Sequence, residues 1–412
     1  MTREPRAFRR GRLLRAWREG RAGPMRVALT PVAWAYRAGF LVRDLAYRRG
    51  WFTRGRLSCA VVSVGNLTVG GTGKTPAVEL VARWLTEDGR RVVIVSRGYG
   101  RRPGAPVELV SDGGAPRLPP ERAGDEPLLL ARRLPGVAVV VGADRLAAGR
   151  WAVTNLQPDV VLLDDGFQQR RLLKDVEIVC LDARVPWGPG GLFPRGTLRE
   201  PPSALARAHL LIATGADARR NLAGLLDEFR QYAGTAPCLA TDYLVEGIED
   251  LGSGVVHPVE SLQGRGVLAF AGIAAPERFV ESLGALGAIV RDLVPFPDHH
   301  AFGPGDVEGV ARRARALGAG VLVTTEKDAV RLPRPGHWGG THGMAEPRQS
   351  DEARMPVWVL RVRLEPVSGS PPAIGGRPIG PGGAVAAWRG ELRRRVDVAV
   401  GGSLGVRAQS AP

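Results

Sequence analysis

Lysine is nearly missing from this chain. Lys74, Lys174 and Lys327 are the only lysines among 57 basic residues, and the rest are arginine. A bias this complete belongs to overall composition and says little about partners. It does mark each lysine as a place where a compact ammonium is kept instead of a planar guanidinium. Cysteine is also scarce. Cys59, Cys180 and Cys238 are too few and too scattered for a disulfide framework or a cysteine-rich zinc site, which fits a reducing compartment. A spanning helix needs about 20 mainly apolar residues, and no such run occurs: the uncharged stretch Val27–Tyr36 ends at Arg37. The basic start is not followed by an unbroken apolar region with a cleavage site, so no signal peptide is expected.

What is present is enough for two or three domains. The chain has 412 residues, 44% of them hydrophobic, which excludes wholesale disorder. Its net charge of +16 first suggests nucleic acid or an anionic membrane. Much of the excess sits in residues 1–24, with eight arginines against two glutamates. That segment reads as a basic, disordered extension or a membrane-surface contact, and Met25 is an alternative first residue. Over 25–50, Thr30-Pro31 reads as a helix cap and first turn, and Gly50 as a stop. Trp34, Ala38, Leu41 and Leu45 share one side of this helix, beside a charged stripe of Arg37, Asp44 and Arg48. Such a helix either docks on its own domain or lies at a membrane interface.

Apolar strands then alternate with helices, as in a parallel sheet covered on both faces. Strands are expected at 57–64, 91–96, 137–141, 159–163, 176–181 and 210–214, within a core of residues 51–215. A smaller α/β lobe follows at 216–365, interrupted by a polar Gly/Pro-rich insertion at 333–355. Residues 366–412 turn Gly/Pro-rich and then basic, the composition of a disordered tail.

Between the first strand and the next helix runs Gly65-Asn-Leu-Thr-Val-Gly-Gly-Thr-Gly-Lys-Thr-Pro. Strand, glycine loop and helix make a phosphate cradle: glycines let backbone N–H groups close on phosphate oxygens, and the helix start adds positive potential. Gly70, Gly71, Thr72 and Gly73 form the loop, Lys74 reaches the β- and γ-phosphates, and the Thr75 hydroxyl suits Mg²⁺. The standard spacing places its first glycine where this chain has Thr68. Asp164 and Asp165 end an apolar strand, placed to hold Mg²⁺ directly or through water. Asp125, ahead of an apolar helix, suits an N-cap and a catalytic carboxylate equally. The His pair in Phe296-Pro-Asp-His-His suits a structural role or a proton relay.

These residues together resemble the tetraacyldisaccharide 4'-kinase family, the lipid A 4'-kinases. The matching elements also include Ser96-Arg-Gly-Tyr-Gly-Arg, Gly124-Asp-Glu-Pro, Ala143-Asp-Arg, Leu163-Asp-Asp-Gly-Phe-Gln, Gly196-Thr-Leu-Arg-Glu-Pro and Thr325-Glu-Lys-Asp-Ala-Val. They keep the family's order over about residues 25–365. The resemblance implies a P-loop NTPase-like parallel-sheet domain with an N-terminal membrane-associated helix and a second, smaller α/β domain. It implies transfer of the ATP γ-phosphate, with Mg²⁺, to the 4'-hydroxyl of tetraacyldisaccharide 1-phosphate, a lipid A precursor, at the cytoplasmic face of the inner membrane. It gives Asp125 the role of general base with His299 as partner. Lys74 and Thr75 become nucleotide and metal contacts, Asp164 and Asp165 metal-side acids, and Glu200 an assisting one. Asp44, Arg48, Arg97, Tyr99 and Arg145 become acceptor contacts. The chain departs from the family at Gln169, where histidine is usual, and at Phe193-Pro-Arg-Gly, where Leu-Pro-Ala-Gly is usual.

Three rival readings fit the sequence less well. A P-loop NTPase acting on nucleic acid would need a recognisable RNA- or DNA-binding module, and none of the usual signatures is present. A guanine-nucleotide switch would need Asn-Lys-x-Asp, but here Glu326 precedes the adjacent Lys327 and Asp328. A non-enzymatic membrane scaffold leaves the phosphate loop without a purpose. No nucleic-acid partner is expected.

Overall fold

A computed structural model describes residues 20, 23–102, 104–216, 222–333, 355–367, 373–374, 377–378 and 383–409. Most of the N-terminal extension and of the 333–355 insertion therefore lies outside the described residues. The chain divides into two compact units, one of Met1–Tyr243 with Leu364–Pro412 and one of Leu244–Arg363. The first unit thus runs past residue 215 and takes back the end of the chain.

In the first unit the sheet is built from β1 (Ala60–Asn66), β2 (Val92–Ser96), β3 (Val107–Asp112), β4 (Ala138–Gly142), β5 (Val160–Asp164), β6 (Val176–Asp182), β7 (Leu210–Thr214) and the start of β8 (Cys238–Asp250). Their order is β8-β7-β6-β1-β5-β2-β4-β3. All neighbours are parallel except β3, which closes the edge antiparallel to β4. Every residue of β1, β2, β4, β5, β6 and β7 is buried, as a parallel sheet covered on both faces requires. β1 sits between β5 and β6, so the loop leaving its C-terminal end and the acids ending β5 emerge side by side. That is where ligands bind in open α/β sheets.

The helix Thr30–Arg48 buries only Ala33 and Ala46. Val32, Trp34, Leu41, Val42 and Leu45 are exposed, as are Trp51 and Phe52 beyond it. On the side carrying Trp34, Ala38, Leu41 and Leu45 all four are exposed, and Trp34 borders a groove it shares with Trp187, Leu192 and Pro202. Thr30 does not cap this helix: Leu29 occupies the cap, and the Thr30 hydroxyl donates to the Arg26 carbonyl at 3.1 Å.

The expectation of a disordered tail over 366–412 is corrected. Gly383–Gln409 forms a helix whose Ala384, Trp388, Leu392 and Val396 are buried. The Trp388 indole donates to the Leu211 carbonyl at 2.9 Å and meets Trp84 edge-on at 5.6 Å. Burial of this tryptophan supplies the apolar gain that the segment's composition hides.

The second unit carries the parallel strands β11 (Ile289–Pro295), β10 (Gly266–Ala271), β12 (Val321–Thr325) and β13 (Val357–Pro366), in that order. The short β9 (Val256–His257) pairs antiparallel with the end of β8. Helices Pro276–Ala285 and Pro304–Ala316 bury Phe279, Leu283, Val307 and Val310 against separate apolar clusters of this unit.

Candidate active site

The loop after β1 is held from inside. Asn66 donates its amide to the Thr68 carbonyl and the Thr72 hydroxyl, both at 2.7 Å, and Thr214 donates to the Thr72 carbonyl at 3.0 Å. Gly73 caps the helix Lys74–Glu87 with φ 74°, and a Cβ there would lie 2.5 Å from the Tyr243 hydroxyl. Only glycine fits both the conformation and the space. Gly70 also has positive φ, and nothing would crowd a Cβ at Gly70 or Gly71, so that stretch opens outward. Thr68, in place of the usual first glycine, makes a bridge with Leu198.

Lys74 leaves the helix start toward Asp165, with Nζ 3.8 Å from its carboxylate. Asp165 also accepts from Arg199 at 2.8 and 3.0 Å. Burial alone would raise its pKa, but the Lys74 charge and then Arg199 outweigh this and hold it low. Asp164 has the opposite setting. It is 1% exposed and accepts the Ser96 hydroxyl at 2.8 Å, and its second oxygen is buried without a hydrogen-bond partner among the described residues. Burial, then Glu126 and Asp165 as like charges, push it up to about 7. Asp165 lies in the left-handed region at φ 54°, which breaks the strand's alternation between the two acids.

Asp125 is 9% exposed and is the first residue of the helix Asp125–Arg133. The cap position belongs to Gly124 at φ 85°, with no side-chain capping bond, so Asp125 is not the N-cap. Arg145 is 5% exposed and donates to the Gly142 and Ala143 carbonyls, both at 3.1 Å. Burial holds its pKa below the usual guanidinium value. Arg97 and Tyr99 are exposed beyond β2.

A second cluster forms where the N-terminal helix meets the core. Asp44 pairs with Arg48 at 2.7 Å and Arg170 at 2.9 Å. Arg170 reaches on to Glu200 at 3.7 Å, and Arg207 pairs with Glu200 at 2.8 Å. Glu200 is thus engaged by two arginines, and among the described residues no three His, Cys, Asp or Glu side chains form a group that could hold a metal ion. Gln169, the departure from the family, closes a local turn by accepting from the Arg171 amide at 3.3 Å.

His299 belongs to the second unit, at φ 61°, with Lys327 Nζ 3.4 Å from its Nε2 and Asp298 3.9 Å away. His300 pairs with Asp306 at 3.0 Å. Nearby, buried Asp328 accepts from the Thr325 hydroxyl at 2.7 Å, the Gly272 amide at 3.1 Å and Arg331 at 2.5 Å.

Sequence reasoning did not single out Ser96, Arg170 or Arg199. Ser96 and Arg199 stand inside motifs already quoted, and Arg170 directly follows Gln169, so adjacency to a motif was the available signal.

The family model for LpxK, tetraacyldisaccharide-1-P 4'-kinase, matches residues 25–373. The chain belongs to this family. A tetraacyldisaccharide 4'-kinase of Anaeromyxobacter dehalogenans (strain 2CP-C) is 47% identical over 326 residues, 77% of this chain and 84% of that protein. One from Syntrophus aciditrophicus (strain SB) is 43% identical over 319 residues, 75% of this chain and 85% of that protein. The crystal structure of LpxK from Aquifex aeolicus in complex with ATP superposes with a TM-score of 0.66 at 28% identity, covering 90% of this chain and 99% of that one. Family membership sets aside the nucleic-acid NTPase, the guanine-nucleotide switch and the membrane scaffold. The helix Gly383–Gln409 of this chain lies beyond the family match.

Proposed function

We propose that this protein transfers the γ-phosphoryl group of ATP to the 4'-hydroxyl of tetraacyldisaccharide 1-phosphate, giving the bis-phosphorylated lipid A precursor and ADP. One observation carries the reading: within a chain of this family, Lys74 of the phosphate loop converges on Asp165 at the end of β5. Backbone amides of Gly70–Gly73 and the helix start hold the phosphates, and Lys74 neutralises the β,γ-oxygens. Mg²⁺ fits the acids present, because it takes one or two carboxylates and completes its shell with phosphate and water. Asp164, with a buried oxygen lacking a partner, and Asp165 would hold it beside Thr75. There it would supply neutralisation of the charge that develops on the transferring group.

The acceptor's 4'-oxygen forms a bond to the γ-phosphorus while the bond to the β,γ-bridging oxygen breaks, and ADP leaves with that electron pair. Asp125 takes the hydroxyl proton, and His299 is the second proton-handling group that the family likeness supplies. Arg97, Tyr99 and Arg145, and Asp44 and Arg48 on the N-terminal helix, orient the disaccharide. Among the described residues no helix is long and apolar enough to cross a membrane. The exposed apolar side of Thr30–Arg48 instead suits a surface contact at the cytoplasmic face of the inner membrane, where the acyl chains of the acceptor remain.

The test is direct. Purified protein is incubated with ATP, Mg²⁺ and tetraacyldisaccharide 1-phosphate in detergent, and the lipid is analysed for a second phosphate. The parent adds it and Lys74→Ala does not; near-parental turnover by Lys74→Ala refutes the reading.

A further inference from the structure

Lys174 is the lysine with no motif around it, yet its side chain is only 4% exposed. An ammonium has three donors and no acceptor. Here all three are used: Nζ donates to the Gly166 carbonyl at 3.1 Å, to the Phe167 carbonyl at 3.2 Å, and pairs with Glu177 at 2.7 Å. Those two carbonyls belong to the turn immediately after Asp164 and Asp165. The left-handed conformation of Asp165 folds the chain back there, and the Gly166 amide donates to the Val64 carbonyl of β1 at 3.2 Å. The turn has no slack on its other side. A Cβ on Gly166 would lie 2.5 Å from the Ser63 hydroxyl and 2.8 Å from Leu163. Phe167 is fully buried, with Arg207 over its ring at 4.2 Å.

We propose that Lys174 is a positioning residue for the acid-bearing turn: its charge-assisted bonds to the Gly166 and Phe167 carbonyls fix the directions in which Asp164 and Asp165 present their carboxylates. Without this donor the Phe167 carbonyl loses its ammonium, the Gly166 carbonyl is left with the Gln169 amide at 3.0 Å, and the turn relaxes toward conformations in which Asp165 leaves the left-handed region. Lys174 touches neither nucleotide nor acceptor in this role. It acts through the backbone, as groups behind metal ligands commonly do. The proposal rests on the kinase reading for the use made of the two acids.

The experiment measures binding rather than turnover. The melting-temperature rise given by a non-hydrolysable ATP analogue is followed against Mg²⁺ concentration, and separately in EDTA, for the parent, Lys174→Met and Lys174→Arg. Lys174→Met is expected to raise the half-saturating Mg²⁺ concentration by about tenfold or more and leave the EDTA response unchanged. Lys174→Arg, which restores donors, is expected to recover most of that loss. Because Lys174→Met leaves Glu177 as a buried charge, the double variant Lys174→Met/Glu177→Gln serves where the single one does not fold. A parental Mg²⁺ half-point in a folded methionine variant, with only the melting temperature lowered, overturns the proposal in favour of a purely structural lysine. A parent that gives no Mg²⁺-dependent response overturns the kinase reading itself, and with it the role given to Lys174.

Discussion

Asp164 and Asp165 are chemically identical neighbours that the structure makes unlike. One is shut in with like charges and the other faces two cations. For Asp164 the linkage has a definite sign. Its pKa rises from 3.8 to about 7 on folding, so the native state binds the extra proton, and stability is lost as pH climbs through that window. That rise corresponds to an upper bound of about 4 kcal/mol. Asp164→Asn keeps an acceptor for Ser96 without the charge. In metal-free buffer it is expected to exceed the parent's stability at pH 8, by up to that amount, and to match it near pH 4. Denaturant titrations at the two pH values decide this, and equal stability at pH 8 would sink the claim. The same variant is expected to lose phosphoryl transfer, since stability sacrificed at a site is commonly a requirement of its chemistry. That two acids end this strand was legible in the sequence. Their division of labour was not, because it depends on a positive φ at Asp165 and on Arg199, 34 residues downstream.

At the scale of elements, legibility followed the strength of the pattern. β7 (Leu210–Thr214) was read to its ends, because five consecutive buried apolar and small residues admit little else. β3 was missed: Val-Glu-Leu-Val-Ser-Asp is short and mixed, and it earns its place by pairing antiparallel at an edge. The C-terminal helix was missed for a different reason. Its buried positions fall at 384, 388, 392 and 396, a strict spacing of four that drifts about 40° per step around a helix. Arg389, Gly390, Glu391 and Arg393–Arg395 stand between the later ones, so the composition resembles a solvated tail. Trp388 is the largest of the four, 1% exposed and hydrogen-bonded to β7. Trp388→Ala is expected to destabilise the protein by about 3–5 kcal/mol, the range for truncating a buried aromatic. Val398→Ala, at a side chain 68% exposed on the same helix, is expected to cost under about 0.5 kcal/mol. Chemical denaturation of both variants checks the contrast; similar losses would mean that the helix does not dock through its Trp388 face.

For the whole molecule the question is what the +16 charge does. Two forces could bring this chain to a lipid surface, and salt separates them. Arginines near an anionic bilayer contribute about 1 kcal/mol each at low ionic strength, and that attraction fades within a Debye length. Apolar side chains leaving water contribute about 1.5–3 kcal/mol each when fully buried, whatever the salt. The helix Thr30–Arg48 offers Trp34, Leu41, Val42 and Leu45 exposed on its surface, with Trp51 and Phe52 following. Its charged Asp44 is meanwhile anchored to Arg170 at 2.9 Å. The core therefore holds the helix by a polar edge and leaves the apolar side presented. Binding to anionic vesicles is accordingly expected to survive about 1 M salt, where the Debye length is about 3 Å, though weakened. The triple variant Trp34→Ser/Leu41→Ser/Leu45→Ser is expected to bind only at low salt, and to keep parental nucleotide binding because none of the three touches the phosphate loop. Vesicle flotation across a salt series measures both. Loss of parental binding in high salt, or unchanged high-salt binding by the triple variant, would assign the attachment to arginine charge instead of the apolar face.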